Sequence, residues 1–229
     1  MPGCAAERLL HCGAVESASR ASALAALQRA HRACTRCVDA GLLEAAHPVF
    51  SGGPGQRVLL VGQAPGRVER DVSRPFAGRA GRQLMRWLER GGFVDGEDAR
   101  RRIYMTAMTT CFPGPSRHGG GDRRPSAHEV SLCAPWLDSL LALLRPRLIL
   151  PVGSLALQRF LPGLRLDDAV GRLFDVSGAD AGDVRTPPLH LPLPHPSGQS
   201  RWLNDPRRAR LLDRALAMLP DLVAWAEAG

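Results

Sequence analysis

Lysine is absent from this 229-residue chain: all 30 of its Lys-or-Arg positions are arginine. That absence excludes two chemistries. A phosphate-binding P-loop needs its lysine at the phosphates, and Schiff-base catalysis needs a side-chain amine as nucleophile. Also missing is any apolar run long enough to span a bilayer. The opening stretch, MPGCAAERLLHCGAVES, is too weakly hydrophobic for a secretory signal. The expectation is a cytoplasmic protein of a bacterial cytosol or nucleoid, with no membrane partner. There is no internal repeat. No His and carboxylate cluster stands at ligand spacing, which argues against a metal-dependent hydrolase on an α/β sheet.

What is present reads as a globular α/β chain. The hydrophobic fraction is 45%, ordinary for a protein with a real core. The formal charge is +8, which suggests a polyanionic partner, nucleic acid first. Solvated charges in an Arg- and Ala-rich composition would give the same total. Six cysteines occur, and in a reducing compartment they are metal ligands or buried thiols rather than disulfides. Cys34 and Cys37 form a C-x-x-C pair, whereas Cys4 and Cys12 lie in no motif and read as free thiols.

Residues 17–45 read as helix, interrupted near CTRC. Strands are expected at Arg57–Val61, Ile103–Thr106 and Arg147–Gly153, with a last short one in LHLPLPHPSG. Helices are expected at Gly81–Arg90, in SLALQRFL, and from Ser126 to about Leu144, where Ser126 and Glu129 form a capping box. Asp205 caps a final helix with Pro206 in its first turn. This alternation predicts three αβα layers around a central, mainly parallel four-stranded sheet. The whole chain, 1–229, is expected to be one domain with an N-terminal helical lead (about 1–50). Ligands of such sheets bind at the carboxyl ends of the strands, so the loops after Val61, Thr106, Val152 and Leu193 should face one crevice. Residues 113–125 and 177–188 look like surface excursions.

Four separated stretches, VGQAPGRVERDVSRPFAGRAGRQL, the strand ending in Cys111, PSAHEVSLCAPWL and HPSGQS, resemble the uracil-DNA glycosylase superfamily, in the family's order. The pattern is most similar to the family 4 type, which carries an iron–sulfur cluster, with divergent active-site motifs. The likeness spans roughly residues 30 to 215. It implies a DNA repair enzyme that flips a deaminated base, uracil first, out of single- or double-stranded DNA and hydrolyses its N-glycosidic bond. Such an enzyme is monofunctional and leaves an abasic site. The alternative is a DNA-binding module of the same fold, weak or inactive as a catalyst, that recognises damaged or abasic DNA. A monomer is expected.

The resemblance also implies site residues. Gln63 and Ala64 form one pocket wall, where the amides of a tight turn can stabilise charge on the leaving base. Phe76 is the ring on which the base stacks. His195 donates a hydrogen bond to the base oxygen that gains charge. Arg79 and Arg82 open a helix and suit phosphate. Arg117, Arg123, Arg124, Ser197, Ser200 and Arg201 are the other candidates for DNA contacts, and Arg201 or Trp202 could wedge beside the displaced base. Two positions depart from the pattern. Gln63 replaces an acid, leaving Glu69 as the candidate for positioning water. Ala107 replaces an Asn that reads uracil's edge. Aligned on Pro125, Asp122 stands where a covalently capturing relative has His, so no covalent capture is expected. Cys34, Cys37, Cys111 and Cys133 fit zinc or an iron–sulfur cluster equally by spacing; the resemblance implies [4Fe–4S], with a structural role.

Overall fold

The computed structural model describes residues 3–116, 121–182, 185–198 and 201–229, without the side chains of residues 3–17 and 201. The chain begins with helix α1 (Gly3–Arg32) and the short α2 (Arg36–Asp39), separated at Ala33–Thr35, as the CTRC interruption predicts. There follow β1 (Val58–Gly62), α3 (Arg67–Val72), α4 (Arg79–Arg90), α5 (Gly96–Arg102) and β2 (Ile103–Ala107). The second half runs α6 (Ala127–Leu144), β3 (Leu148–Pro151), α7 (Ser154–Phe160), α8 (Leu166–Ala169), β4 (Leu189–His190) and α9 (Pro206–Glu227). Helices α3, α5 and α8 were not foreseen; each spans at most two turns, too short for a helical period to show.

The strands form one parallel sheet in the order β2-β1-β3-β4. Alternation along β1 divides the core. Val58 and Leu60 face Leu84, Trp87 and Leu88 of α4 and Leu216, Leu219 and Val223 of α9. Leu59 and Val61 face Leu24 of α1 and Leu137, Leu140 and Leu144 of α6. A strand covered on both faces must be apolar at every position, and all five residues of β1 are buried. This is the three-layer αβα fold expected. Among the described residues no helix is long and apolar enough to cross a membrane.

The edge strand β4 is only two residues long, yet the ladder runs past it. Leu189, Leu191 and Leu193 donate N–H bonds to Arg147, Ile149 and Pro151 of the β3 side. Pro192 and Pro194 fall at the alternate positions, whose amides would point away from β3. Proline is tolerated in a sheet only in that arrangement, and it delivers the chain to His195 at the strand's carboxyl end.

Candidate active site

At the end of β1 the chain turns through Gln63, Ala64 and Pro65 to Gly66, the N-cap of α3. The turn is tied to the next loop, because Met108 N–H donates to Gly62 O (2.9 Å) and Thr109 N–H to Gln63 O (3.2 Å). Glu69, in the first turn of α3, accepts from Gly66 N–H (3.1 Å) and Gly78 N–H (2.8 Å). One carboxylate therefore clasps the turn after β1 to the start of α4. This differs from the water-positioning role expected of Glu69: both oxygens are engaged, and the residue is 9% exposed.

Phe76 takes the left-handed backbone conformation, φ +53°. A bulky side chain holds that conformation only where its surroundings over-determine it, and here three contacts do. Arg100 donates to the carbonyls of Pro75 (2.6 Å) and Phe76 (2.9 Å). A Cβ on Gly81 would lie 2.0 Å from Phe76 O, so α4 rests directly on the Phe76 backbone. A Cβ on Gly62 would lie 2.9 Å from ring atom Cζ, so the ring covers the end of β1. Arg100 went unnoticed in the sequence, since nothing in its EDARRR surroundings distinguishes it from a solvated charge.

His195 packs against Gly153, just beyond β3, where a Cβ would come within 3.2 Å of the imidazole. Its Nδ1 receives the Ser197 backbone N–H (3.2 Å) and lies 3.0 Å from Ser197 Oγ. An N–H can only donate, so Nδ1 is the acceptor and the neutral ring carries its proton on Nε2. Burial lowers the pKa of His195 below its ordinary value and keeps that neutral form. Ser197, expected at phosphate, thus has its hydroxyl on the imidazole.

Strands β1 and β3 are neighbours, so the Phe76 ring and the His195 imidazole come together. Both line one cleft of about 840 Å³, with Gln63, Ala64, Thr106 and Ala107. Arg79 also lines it and is exposed, as are Arg82 and Arg124. Arg123 also lines the cleft, but its guanidinium is engaged. It forms a bidentate bridge (2.6 and 2.7 Å) to Glu129, which is 2% exposed and needs a counter-charge there. Trp202 belongs to the core, its indole donating to Asp167 Oδ1 (2.6 Å). Arg117, Ser200 and the side chain of Arg201 lie outside the described residues, as do the side chains of Cys4 and Cys12.

On the other side of the Ala107–Cys111 segment, Cys34, Cys37, Cys111 and Cys133 line a second, more enclosed cavity, all as unpaired thiols. Burial and the neighbouring thiols push Cys37 up to about 11 and Cys111 up to about 12. Four such sulfurs ionise together only with a cation among them. Among the described residues no group of three or more His, Cys, Asp or Glu is placed to hold a single metal ion. Polar hydrogens nonetheless point at the sulfurs. Trp136 Nε1–H donates to Cys34 Sγ (3.2 Å), and Thr110 Oγ1 lies 3.7 Å from Cys133 Sγ. Thr109 Oγ1, in the wall of the same cavity, is buried without a partner in the structure. Behind them, His31 is stacked between Phe50 (4.7 Å) and Trp136 (4.6 Å), with its Nε2 2.9 Å from Thr110 Oγ1. Burial, with Arg36 and Arg32 nearby, lowers His31 to about 4. Trp136 follows Cys133 by three positions on α6, the one signal that could have marked it.

The chain is 33% identical to the type-4 uracil-DNA glycosylase of Pyrobaculum aerophilum over 99 residues, 43% of this chain and 45% of that protein. It is 29% identical to the Thermotoga maritima protein of that name over 118 residues, 52% and 56% of the two chains. The Archaeoglobus fulgidus protein of that name is 32% identical over 107 residues, 47% and 48%. The matched region thus spans about half the length of these curated relatives. Residues 50–219, from the loop before β1 into the last helix, match the uracil DNA glycosylase superfamily as a whole, and on that match the chain belongs to this superfamily.

Proposed function

We propose that this chain is a DNA glycosylase that takes a deaminated base, uracil first, into the cleft beneath Phe76 and hydrolyses its N-glycosidic bond. The observation that carries the reading is the meeting of Phe76 and His195 in one cleft at the carboxyl ends of adjacent strands. The Phe76 ring offers a stacking face for a flipped base. The His195 Nε2–H supplies a hydrogen bond to the oxygen that gains charge as the base leaves, and burial keeps that donor neutral. Arg79, which lines the cleft, and the exposed Arg82 and Arg124 supply phosphate contacts. With no lysine amine to form a Schiff base, the product is an abasic site in an intact strand. Ala107 offers no side-chain amide to read the base edge, so selectivity among deaminated bases is broad.

The four cysteines hold a [4Fe–4S] cluster in this reading. The support is the donor set itself: four thiols around one cavity, with Trp136 and Thr110 in contact with two of the sulfurs and an unpartnered Thr109 hydroxyl buried in its wall. A cluster offers a separate iron to each cysteine, so its ligands need not converge on one ion as zinc requires. When bound, the cluster contributes a cross-link between α2, the segment after β2, and α6. Freshly purified protein should be brown; a colourless preparation containing zinc overturns this assignment.

The activity is tested with a uracil-containing oligonucleotide treated with alkali after incubation. Cleavage at the uracil supports the reading, and an intact strand for uracil, hypoxanthine and xanthine alike overturns it. A second reading, a DNA-binding module without base release, draws on Ala64 and Ala107. Tight binding to abasic DNA with no base released would favour it.

A further inference from the structure

Hydrolysis needs a water held at the sugar, and the turn after β1 has no acid to hold it, since Gln63 and Ala64 stand there. Among the described residues lining the cleft, two carry a carboxylate, Glu69 and Asp122. Glu69 is committed to the Gly66 and Gly78 amides.

Asp122 is placed otherwise. It lines the cleft beside the turn, and its Oδ2 lies 2.7 Å from where a Cβ on Gly66 would stand. A larger residue at Gly66 would therefore collide with it. The residue is exposed and lines the cleft beside Gly66 and Arg67. Its presentation is built rather than incidental. Asp122 pairs with Pro115 in an antiparallel bridge, with Ser116 N–H bonded to Gly121 O (2.8 Å) and Arg123 N–H to Gly114 O (3.0 Å) on either side. The next side chain, Arg123, anchors this narrow loop to Glu129 at the start of α6. The Arg123–Glu129 bridge thus fixes the backbone next to Asp122, which gives that bridge a purpose beyond neutralising Glu129.

We propose that Asp122 is the acid that positions and deprotonates the attacking water, in place of the one missing at Gln63. The proposal rests on the glycosylase reading above. Asp122 lines the same cleft as Phe76 and His195, and in this proposal the sugar of a base stacked on Phe76 is presented to its carboxylate. The bond between the sugar's C1′ and the base nitrogen breaks, and its electron pair leaves with the base, whose oxygen accepts from His195 Nε2–H. The water oxygen bonds to C1′, and its proton passes to the Asp122 carboxylate. Asp122 then releases that proton to solvent, and the base anion takes one up. Although Asp122 is exposed, partial desolvation at the cleft and the charge of Glu69, on α3, raise its pKa, with Arg67 acting in the opposite sense. A carboxylate made more basic is a better proton acceptor.

The test compares full-length wild type, Asp122→Asn, Asp122→Glu and Glu69→Gln in single-turnover release of uracil from an oligonucleotide. Asp122→Asn should lose about 10²-fold or more in rate, with oligonucleotide binding and melting temperature little changed. The acid limb of its pH–rate profile should disappear, which loss of a purely structural contact would not cause. Asp122→Glu should recover part of the rate and retain an acid limb. Glu69→Gln should chiefly lower the melting temperature. A wild-type rate and pH profile in Asp122→Asn overturns the inference and leaves the glycosylase reading standing. A wild-type protein that releases no deaminated base removes both.

Discussion

The cleft under Phe76 and the cysteine cavity share one stretch of chain, Ala107–Cys111, but are built by opposite means. The cleft is made largely of backbone. Gly62 admits the Phe76 ring, Gly66 admits the Asp122 carboxylate, and Gly153 admits His195. The cavity is held by side chains in layers, with Arg36 over Trp136 (4.9 Å), then His31, Phe50 and Arg32 (5.1 Å). A site that must admit a base and let it leave needs open space beside rigid walls. A site that holds a permanent group needs enclosure and satisfied donors. The shared segment borders both, since Thr109 gives its amide to Gln63 O and also lines the cysteine cavity.

If the regions are separable in this way, damage to one should spare the other. The largest expected effect is His195→Ala, which should lower base release by about 10²–10³-fold and leave the visible absorption of the purified protein unchanged. A change in both would show that the cleft and the cavity are one unit.

The second prediction probes the layered stack. His31 is neutral in the fold, with a pKa lowered from 6.5 to about 4. Between those values the unfolded chain binds the proton and the folded one does not, so stability is complete above pH 6.5 and falls as the pH drops toward 4. The loss should approach about 3 kcal/mol, at 1.4 kcal/mol per pH unit. His31→Phe keeps a flat ring between Phe50 and Trp136, and its melts should lack this part of the pH dependence. Identical pH dependence in the two proteins would contradict the assignment.

Arg100→Met should come next. It leaves the carbonyls of Pro75 and Phe76 without their charged donor, at a cost of about 2 kcal/mol. Because Phe76 then loses its fixed backbone, the KM for an oligonucleotide should rise while iron content stays the same. The smallest effect expected is that of Ala107→Asn. A side-chain amide at the pocket floor should raise the preference for uracil over hypoxanthine by about tenfold, one hydrogen bond's worth. An unchanged ratio would mean that residue 107 does not face the base.

Much of this was legible in the chain before folding. The apolar runs of β1, β2 and β3, the capping box at Ser126 and the Asp205 cap all recur in the structure within a residue or two. The motifs carrying Phe76 and His195 were legible as well, because each is contiguous and tied to a strand end. Their arrangement was not. Arg100 lies 24 positions from the Phe76 carbonyl it holds, and His31 lies 79 positions from Thr110. Arg123, read as a DNA contact, serves Glu129, and Glu69, read as a water-positioning acid, serves two amides.

By itself the sequence determined the order of strands and helices, the apolar faces that separate the two cores, and the residues available for chemistry, since periodicity and local turn signals are properties of neighbours along the chain. Only the tertiary structure decided which polar groups are left to act. A carboxylate or guanidinium that becomes buried must find a partner, and that partner depends on which layers pack together across the sheet.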